Sequence, residues 1–114
     1  MGKLTTHVLD TTRGKPVANL TVKLYKEVGD NYNLIKTIKT NKDGRSAEPI
    51  LEGLNLEKGG FELVFQVDHY YNQIGIKSEF LKDVVIRFYI ENEDENYHIP
   101  LLISPYAYST YKGS

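Results

Sequence analysis

The side chains best suited to proton transfer near neutral pH are three histidines, His7, His69 and His98. An imidazole with an unperturbed pKa of about 6.5 can accept and return a proton under these conditions. The three have no short spacing of the kind that zinc ligands share, and the sequence has no cysteine, which excludes thiolate chemistry. On pattern alone, a single histidine in a half-polar strand, as His7 is, is more often a hydrogen-bonded structural residue than a base.

Arg45 is a second chemical candidate, because it directly follows a strong turn signal, Asn41-Lys42-Asp43-Gly44. A guanidinium is flat, permanently charged and able to bind two oxygens at once, so it could hold a planar, oxygen-rich ligand. An arginine beside a turn is, on position alone, usually a solvated surface charge. Position does not decide between these two interpretations.

The end of the chain, residues 98–114, is more apolar than a terminus usually is. Three aliphatic residues at 101–103 are followed by three tyrosines, Tyr106, Tyr108 and Tyr111. Termini without a structural role are usually polar and poorly ordered, whereas tyrosine suits a place where a ring packs and its hydroxyl meets a polar partner. We therefore expect this end to lie in a partly wet cleft or a subunit interface.

The composition limits the classes of function. With 114 residues and 40% hydrophobic content, the chain has the size of one domain, residues 1–114, with a single core. A net charge of −1 gives no electrostatic reason to expect nucleic acid or an anionic membrane as partner, and no segment approaches membrane-spanning length. The absence of cysteine fits a reducing cytosol, and no apolar leader precedes the first strand. We expect a cytoplasmic protein, or a periplasmic one if a signal peptide has been removed.

Short alternations of apolar and polar residues indicate the elements that must position these side chains. In the first predicted strand, Leu4, Thr6 and Val8 share one face and His7 lies on the other. Such short strands, separated by close turns and accompanied by at most one helix, predict an all-β fold, an antiparallel β-sandwich of about seven to eight strands. The predicted strands cover residues 3–10, 20–26, 32–40, 61–67, 83–91 and a last one from near 97, with a loop or short edge strand at 51–60.

Two segments of the predicted sandwich are irregular. The period is lost over residues 69–82, which could hold one short helix. Pro100 and Pro105 predict that the last strand is bulged or interrupted, because proline cannot donate to a sheet ladder.

Three separated blocks of the sequence resemble the family of 5-hydroxyisourate hydrolases, the transthyretin-related proteins. They are Leu4–Pro16, Thr40–Arg45 and the ending His98–Ser114, which contains Pro-Leu-Leu-Ile-Ser-Pro and closes on Tyr-Ser-Thr-Tyr-Lys-Gly-Ser. The similarity covers nearly the full length and is looser between the blocks. It implies a transthyretin-like β-sandwich whose subunits pair edge to edge and whose dimers pack face to face. The result would be a homotetramer with active sites at the dimer–dimer interface.

The resemblance also implies an activity and the residues that perform it. The family's reaction opens the ring of 5-hydroxyisourate to 2-oxo-4-hydroxy-4-carboxy-5-ureidoimidazoline in urate degradation, and no cofactor or metal is implied. His7, His98, Arg45 and Ser114 are implied as catalytic residues, and His7, Arg45 and Tyr111 as residues that bind the substrate. In these roles the histidines would act as bases, and Arg45 would clamp the ring while negative charge develops on a carbonyl oxygen.

The chain departs from the family pattern at two positions near this ending. Asn96 stands where the family often has a histidine, and Lys112 stands where it usually has arginine. We expect Asn96 to reduce or retune the activity, since asparagine can still orient water. Lys112 keeps the positive charge but loses the planar fork of arginine.

Two other classes of function stay open. A non-catalytic, transthyretin-like carrier of small molecules would use the same tetramer, but an apolar ligand would favour a hydrophobic channel over a cluster of histidine and arginine. A β-sandwich that serves as a plain interaction module would leave the tyrosine-rich ending without an explanation.

Overall fold

The computed structural model of this protein describes residues 1–113, which form a sandwich of two β-sheets. Within these residues there are nine strands, one α-helix and a 3₁₀ turn at Gly53–Asn55. No helix in this range is long and apolar enough to cross a membrane. The elements are β1 (Lys3–Asp10), β2 (Lys15–Pro16), β3 (Thr21–Val28), β4 (Asn31–Lys39), β5 (Leu51–Glu52), β6 (Gly59–Phe65), α1 (Val67–Gln73), β7 (Val84–Ile90), β8 (Tyr97–Ile103) and β9 (Tyr108–Thr110).

The predicted all-β sandwich with one short helix is confirmed. One sheet has the strand order β2-β1-β8-β9, with β5 also paired to β1, and the other has the order β4-β3-β6-β7. One pairing departs from the expected antiparallel arrangement, because β1 and β8 run parallel. The chain builds the whole second sheet between these two strands, so β8 returns to the first sheet in the direction of β1.

Alternation along β1 fixes which of its faces turns inward. Leu4 and Val8 are fully buried in the core, whereas Thr5, His7 and Leu9 on the opposite face are half-buried. Burying a leucine or valine side chain contributes roughly 1.5–3 kcal/mol relative to leaving it exposed, and a slip of one residue would exchange the two faces. His7 therefore faces away from the core, as the alternation predicts.

Two local predictions were wrong. The alternation assigns Val67 to a strand, but β6 ends at Phe65, and Val67 opens α1 while remaining buried. Pro100 does not interrupt β8, which pairs with β1 through that position. Along its other edge, β8 pairs with β9 only from Leu101 onward. The missing N–H of Pro100 therefore removes no hydrogen bond between β8 and β9. The break predicted for Pro105 does occur, in the turn between β8 and β9.

A buried carboxylate joins the end of β1 to α1. Asp10 is fully buried and accepts hydrogen bonds from the hydroxyls of Tyr70 (3.0 Å) and Tyr71 (2.9 Å) and from the backbone N–H groups of Thr12 (2.9 Å) and Arg13 (3.3 Å). Burial, with the adjacent Asp10 carboxylate contributing, raises the pKa of both tyrosines. Both hydroxyls therefore stay protonated and act as donors to Asp10.

We expect the substitution Asp10→Ala to destabilise the fold by about 3–5 kcal/mol, because it leaves two buried tyrosine hydroxyls without their acceptor. The measurement is urea unfolding followed by circular dichroism. The matched control is Asp30→Ala, which makes the same change in the exposed turn between β3 and β4. Equal unfolding midpoints for the two variants would contradict the role given to Asp10.

Candidate active site

A tight turn before Arg45 brings this arginine to β1. The Asn41 side-chain oxygen accepts a hydrogen bond from the Arg45 backbone N–H (3.2 Å), and the Gly44 carbonyl accepts one from the Val8 N–H (2.9 Å). Gly44 has a φ of +77°, and a Cβ there would lie 2.5 Å from the Val8 carbonyl oxygen, so only glycine fits. The turn thereby places Arg45 directly opposite His7 in an isolated β-bridge.

The parallel pairing of β1 and β8 brings His98 to the same outer face. Its register sets Thr5 opposite His98, two residues from His7 along β1. Thr5 Oγ1 lies 2.8 Å from His98 Nδ1. The two histidines and the arginine thus come from three segments of the chain that are far apart in sequence.

The last described residues close one side of His98. Gly113 donates its N–H to the His98 carbonyl oxygen at 2.7 Å, and a Cβ on Gly113 would lie 2.9 Å from His98 Cδ2. A side chain at this position would force the imidazole or the terminal segment to move. The close approach therefore explains a glycine here without any special backbone angle.

An open cleft of about 280 Å³ lies above these groups. Its lining is polar, includes the two cations Lys3 and Arg45, and is completed by Thr5, Asn96 and His98. Such a lining suits a small, polar, oxygen-rich molecule better than an apolar one. The chemistry that the lining supports is proton transfer beside a fixed positive charge.

The pKa of His98 is lowered from its ordinary value. Burial of the ring is the largest cause, and electrostatic interactions with Arg45 and then His7 add to it. The imidazole is therefore neutral at pH 7 and able to accept a proton.

The structure brings together three of the five residues that the resemblance implies, His7, Arg45 and His98. Tyr111 lies instead beside an apolar cleft between the edges of the two sheets, which Ile86 and Phe88 also line. Ser114 lies outside the described residues. The catalytic and binding roles of all five stay predictions.

His69 has no contact with this group of side chains that the structure records. It is exposed on α1, where its Nε2 lies 3.2 Å from Gln73 Nε2. Within residues 1–113, no three histidine, aspartate or glutamate side chains cluster as metal ligands do.

Residues 4–113 match the model of the HIUase/Transthyretin family. The chain belongs to this family. A protein named 5-hydroxyisourate hydrolase 2, from Rhizobium meliloti strain 1021, is 48% identical to this chain over 116 residues, with 99% of this chain and 97% of the relative covered. The predicted family resemblance is thereby confirmed.

Solved structures of the HIUase/Transthyretin fold superpose closely on this family member. The 5-hydroxyisourate hydrolase of Klebsiella pneumoniae gives a TM-score of 0.85 at 32% identity, with 100% of both chains covered. An (S)-allantoin synthase gives a TM-score of 0.93 at 37% identity, and the match covers 99% of this chain but only 44% of that longer chain. The transthyretin-like form of the sandwich is confirmed.

The two positions at which this family member departs from the usual ending make contacts within its own chain. Asn96 Oδ1 accepts a hydrogen bond from the Lys3 N–H at 3.1 Å, which joins the starts of β8 and β1. Lys112 Nζ lies 3.5 Å from Glu95 Oε1 and 5.0 Å from the centre of the Tyr97 ring. Asn96 thus lines the cleft itself, whereas Lys112 is directed towards the start of β8.

Sequence reasoning missed two residues of the cleft, Lys3 and Thr5. Alternation could have indicated both, since they share the outer face of β1 with His7. Nothing local in the sequence, however, shows that Thr5 meets His98, because that contact depends on the pairing of strands 93 residues apart.

Proposed function

We propose that this protein is a hydrolase that opens the ring of 5-hydroxyisourate to 2-oxo-4-hydroxy-4-carboxy-5-ureidoimidazoline in urate degradation, without a cofactor. The observation that carries the proposal is that Arg45 and His98 line one polar cleft, with His7 bridged to Arg45 beside it, in a chain 48% identical to a protein named as such a hydrolase. The catalytic unit is a single transthyretin-like domain, residues 1–114.

The reaction adds water to a ring amide carbonyl and breaks the C–N bond, which leaves a carboxylate and a protonated nitrogen. His98, neutral at pH 7, takes the proton from the attacking water. Arg45 binds the carbonyl oxygen as it becomes negative, and its planar guanidinium matches an oxygen-rich ring. In this proposal His7, the backbone-bridge partner of Arg45, gives its own ring proton to the departing nitrogen. His98 then releases the proton taken from water to the solvent, and His7 regains one from the solvent, so both rings return to their starting state. Tyr111 and Ser114 complete substrate binding in this proposal.

The test follows the ultraviolet absorbance of freshly generated 5-hydroxyisourate with and without the protein. Spontaneous decay in buffer is the baseline, and the protein should accelerate the decay in proportion to its concentration. A decay equal to that in buffer would overturn the proposed activity. A non-catalytic carrier of small molecules would then be the better interpretation, although the polar lining of the cleft, which includes Lys3 and Arg45, disfavours an apolar ligand.

The proposed enzyme works as a homotetramer in the cytoplasm, with sites at the dimer–dimer interface. Three observations support assembly. Tyr106 and Tyr111 are 63% and 61% exposed in the single chain, an apolar cleft of about 220 Å³ opens between the sheet edges, and β7 and β9 are the last strands of their sheets on that side. Exposed apolar surface and unpaired edges of this kind favour association. Sedimentation equilibrium would measure the mass, and a monomer at micromolar concentration would contradict the tetramer.

The lowered pKa of His98 predicts the pH dependence. As the pH falls through this lowered value, His98 becomes protonated and can no longer act as a base, so kcat/KM falls. We expect the midpoint of this acid limb to lie below the ordinary histidine value of about 6.5. The NMR titration of His98 in the Arg45→Gln variant is the control. Loss of the positive charge should raise the pKa of His98, yet keep it below the ordinary value, because burial is the larger cause. A wild-type midpoint above the ordinary value would contradict the assignment of His98 as the base.

A further inference from the structure

Thr5 is the one side chain of the cleft whose contact with a proposed base is short and directed. Its Oγ1 lies 2.8 Å from Nδ1 of His98, a normal distance for a hydrogen bond. Both residues are half-buried on the outer face of the first sheet.

The backbone holds this pair in place. Thr5 and His98 are register partners in the parallel pairing of β1 and β8, so neighbouring pairs of the two strands fix their separation. Threonine is branched at Cβ and stiff at χ1, so its hydroxyl does not swing freely away from the imidazole. The contact is thus built by the sheet rather than by a mobile loop.

The chemistry of a neutral imidazole gives this contact a consequence. A histidine that accepts a proton at Nε2 must carry its existing proton on Nδ1, and the hydrogen bond made by one ring nitrogen sets the state of the other. A hydroxyl oxygen can accept the proton of Nδ1. After Nε2 has been protonated, Nδ1 still carries its proton, so the same bond holds the ring before and after the transfer.

A hydroxyl suits this position better than a charged partner would. A carboxylate at Thr5 would stabilise the protonated imidazole and hold His98 charged at neutral pH. A lysine or arginine has no acceptor and could not take the Nδ1 proton. Threonine orients the imidazole without adding a charge.

We propose that Thr5 is a positioning residue for the reaction proposed above: its Oγ1 accepts the Nδ1–H of His98 and keeps Nε2 directed into the cleft. The inference rests on the proposed function, in which His98 is the base. Thr5 itself acts only through His98.

The kinetic test compares Thr5→Val with Thr5→Ser, since valine keeps the branched shape without the hydroxyl and serine keeps the hydroxyl. We expect Thr5→Val to lower kcat about 10–100-fold, which is part of the roughly 10²–10⁴-fold acceleration that a positioned base contributes. The KM should change by less than about threefold. Thr5→Ser should restore kcat to within about threefold of wild type. Thr37→Val is the matched control, because Thr37 is exposed on β4 in the other sheet. An unchanged kcat in Thr5→Val, or a loss as large in Thr37→Val, would overturn the proposal.

A second measurement does not depend on activity. The ¹⁵N chemical shifts of the His98 ring report which nitrogen carries the proton, and we expect Nδ1–H in the wild type and a shift towards Nε2–H in Thr5→Val. An Nε2–H ring in the wild type would overturn the proposal. If the wild type failed to hydrolyse 5-hydroxyisourate, the proposed function would fail, yet the ring shifts would still decide whether Thr5 holds His98. Should Thr5→Val not fold, Thr5→Ala serves for both measurements.

Discussion

We expect the kcat of the His98→Gln variant on 5-hydroxyisourate to be about 10²–10⁴-fold lower than that of the wild type. Glutamine is polar and of similar length, but its amide cannot accept a proton at neutral pH. The loss should fall on kcat more than on KM, because proton transfer contributes in the transition state rather than in binding. The ultraviolet assay with freshly generated substrate measures both constants.

The chain offers a matched control for this substitution. His69→Gln makes the same change on the exposed face of α1, where the histidine contacts only Gln73 among the recorded hydrogen bonds. This variant should keep the wild-type kcat. If His98→Gln and His69→Gln had equal activity, His98 could not be the base, and His7, the bridge partner of Arg45, would be the remaining candidate.

We expect the kcat/KM of the Arg45→Lys variant to be about 10²–10³-fold lower than that of the wild type. This is the typical effect of removing one hydrogen-bond donor to a developing oxyanion. Lysine keeps the charge but lacks the flat fork that binds two oxygens of a planar ring. Because the charge remains, the pKa of His98 should stay low, so the pH midpoint should move little while the rate falls. Steady-state kinetics across pH would separate the two effects.

Arg87→Lys is the control for Arg45→Lys. Arg87 is an exposed arginine on β7, where its Nε donates to Glu62 Oε2 at 2.7 Å, and it lies in the sheet that carries none of the proposed catalytic residues. We expect wild-type kinetics from this variant. Full activity of Arg45→Lys would show that charge alone suffices at this position and would contradict the bidentate role.

Local patterns in the sequence were enough to predict the first strand and its faces. The predicted bounds of β1, residues 3–10, are those of the structure, because uninterrupted alternation leaves one face to bury. The end of β6 was predicted less well. The alternation runs on to Val67, since a buried residue at a helix start fits the same pattern, and only the tertiary structure shows that the helix begins there.

The meeting of the proposed catalytic residues could be predicted only in part. His7, Arg45 and His98 were identified by family resemblance, and the structure brings Arg45 and His98 to one cleft with His7 bridged to Arg45 beside it. The parallel register of β1 and β8, which places Thr5 against His98, could not be predicted, because alternation within a strand carries no information about its partner. For the same reason the sequence did not show that Tyr111 lies beside an apolar cleft.

The pairing of β1 with β8 also affects how the protein is made. The contact between Thr5 and His98 spans 93 residues. At a synthesis rate of roughly 5–20 residues per second, about 5–20 s pass between the emergence of β1 and that of its partner from the ribosome. During this interval the apolar face and one edge of β1 have no permanent cover, which is the condition under which nascent chains bind chaperones or aggregate. Folding of the first sheet is therefore limited by its most distant contact, and the two histidines meet only in chains whose synthesis has passed β8.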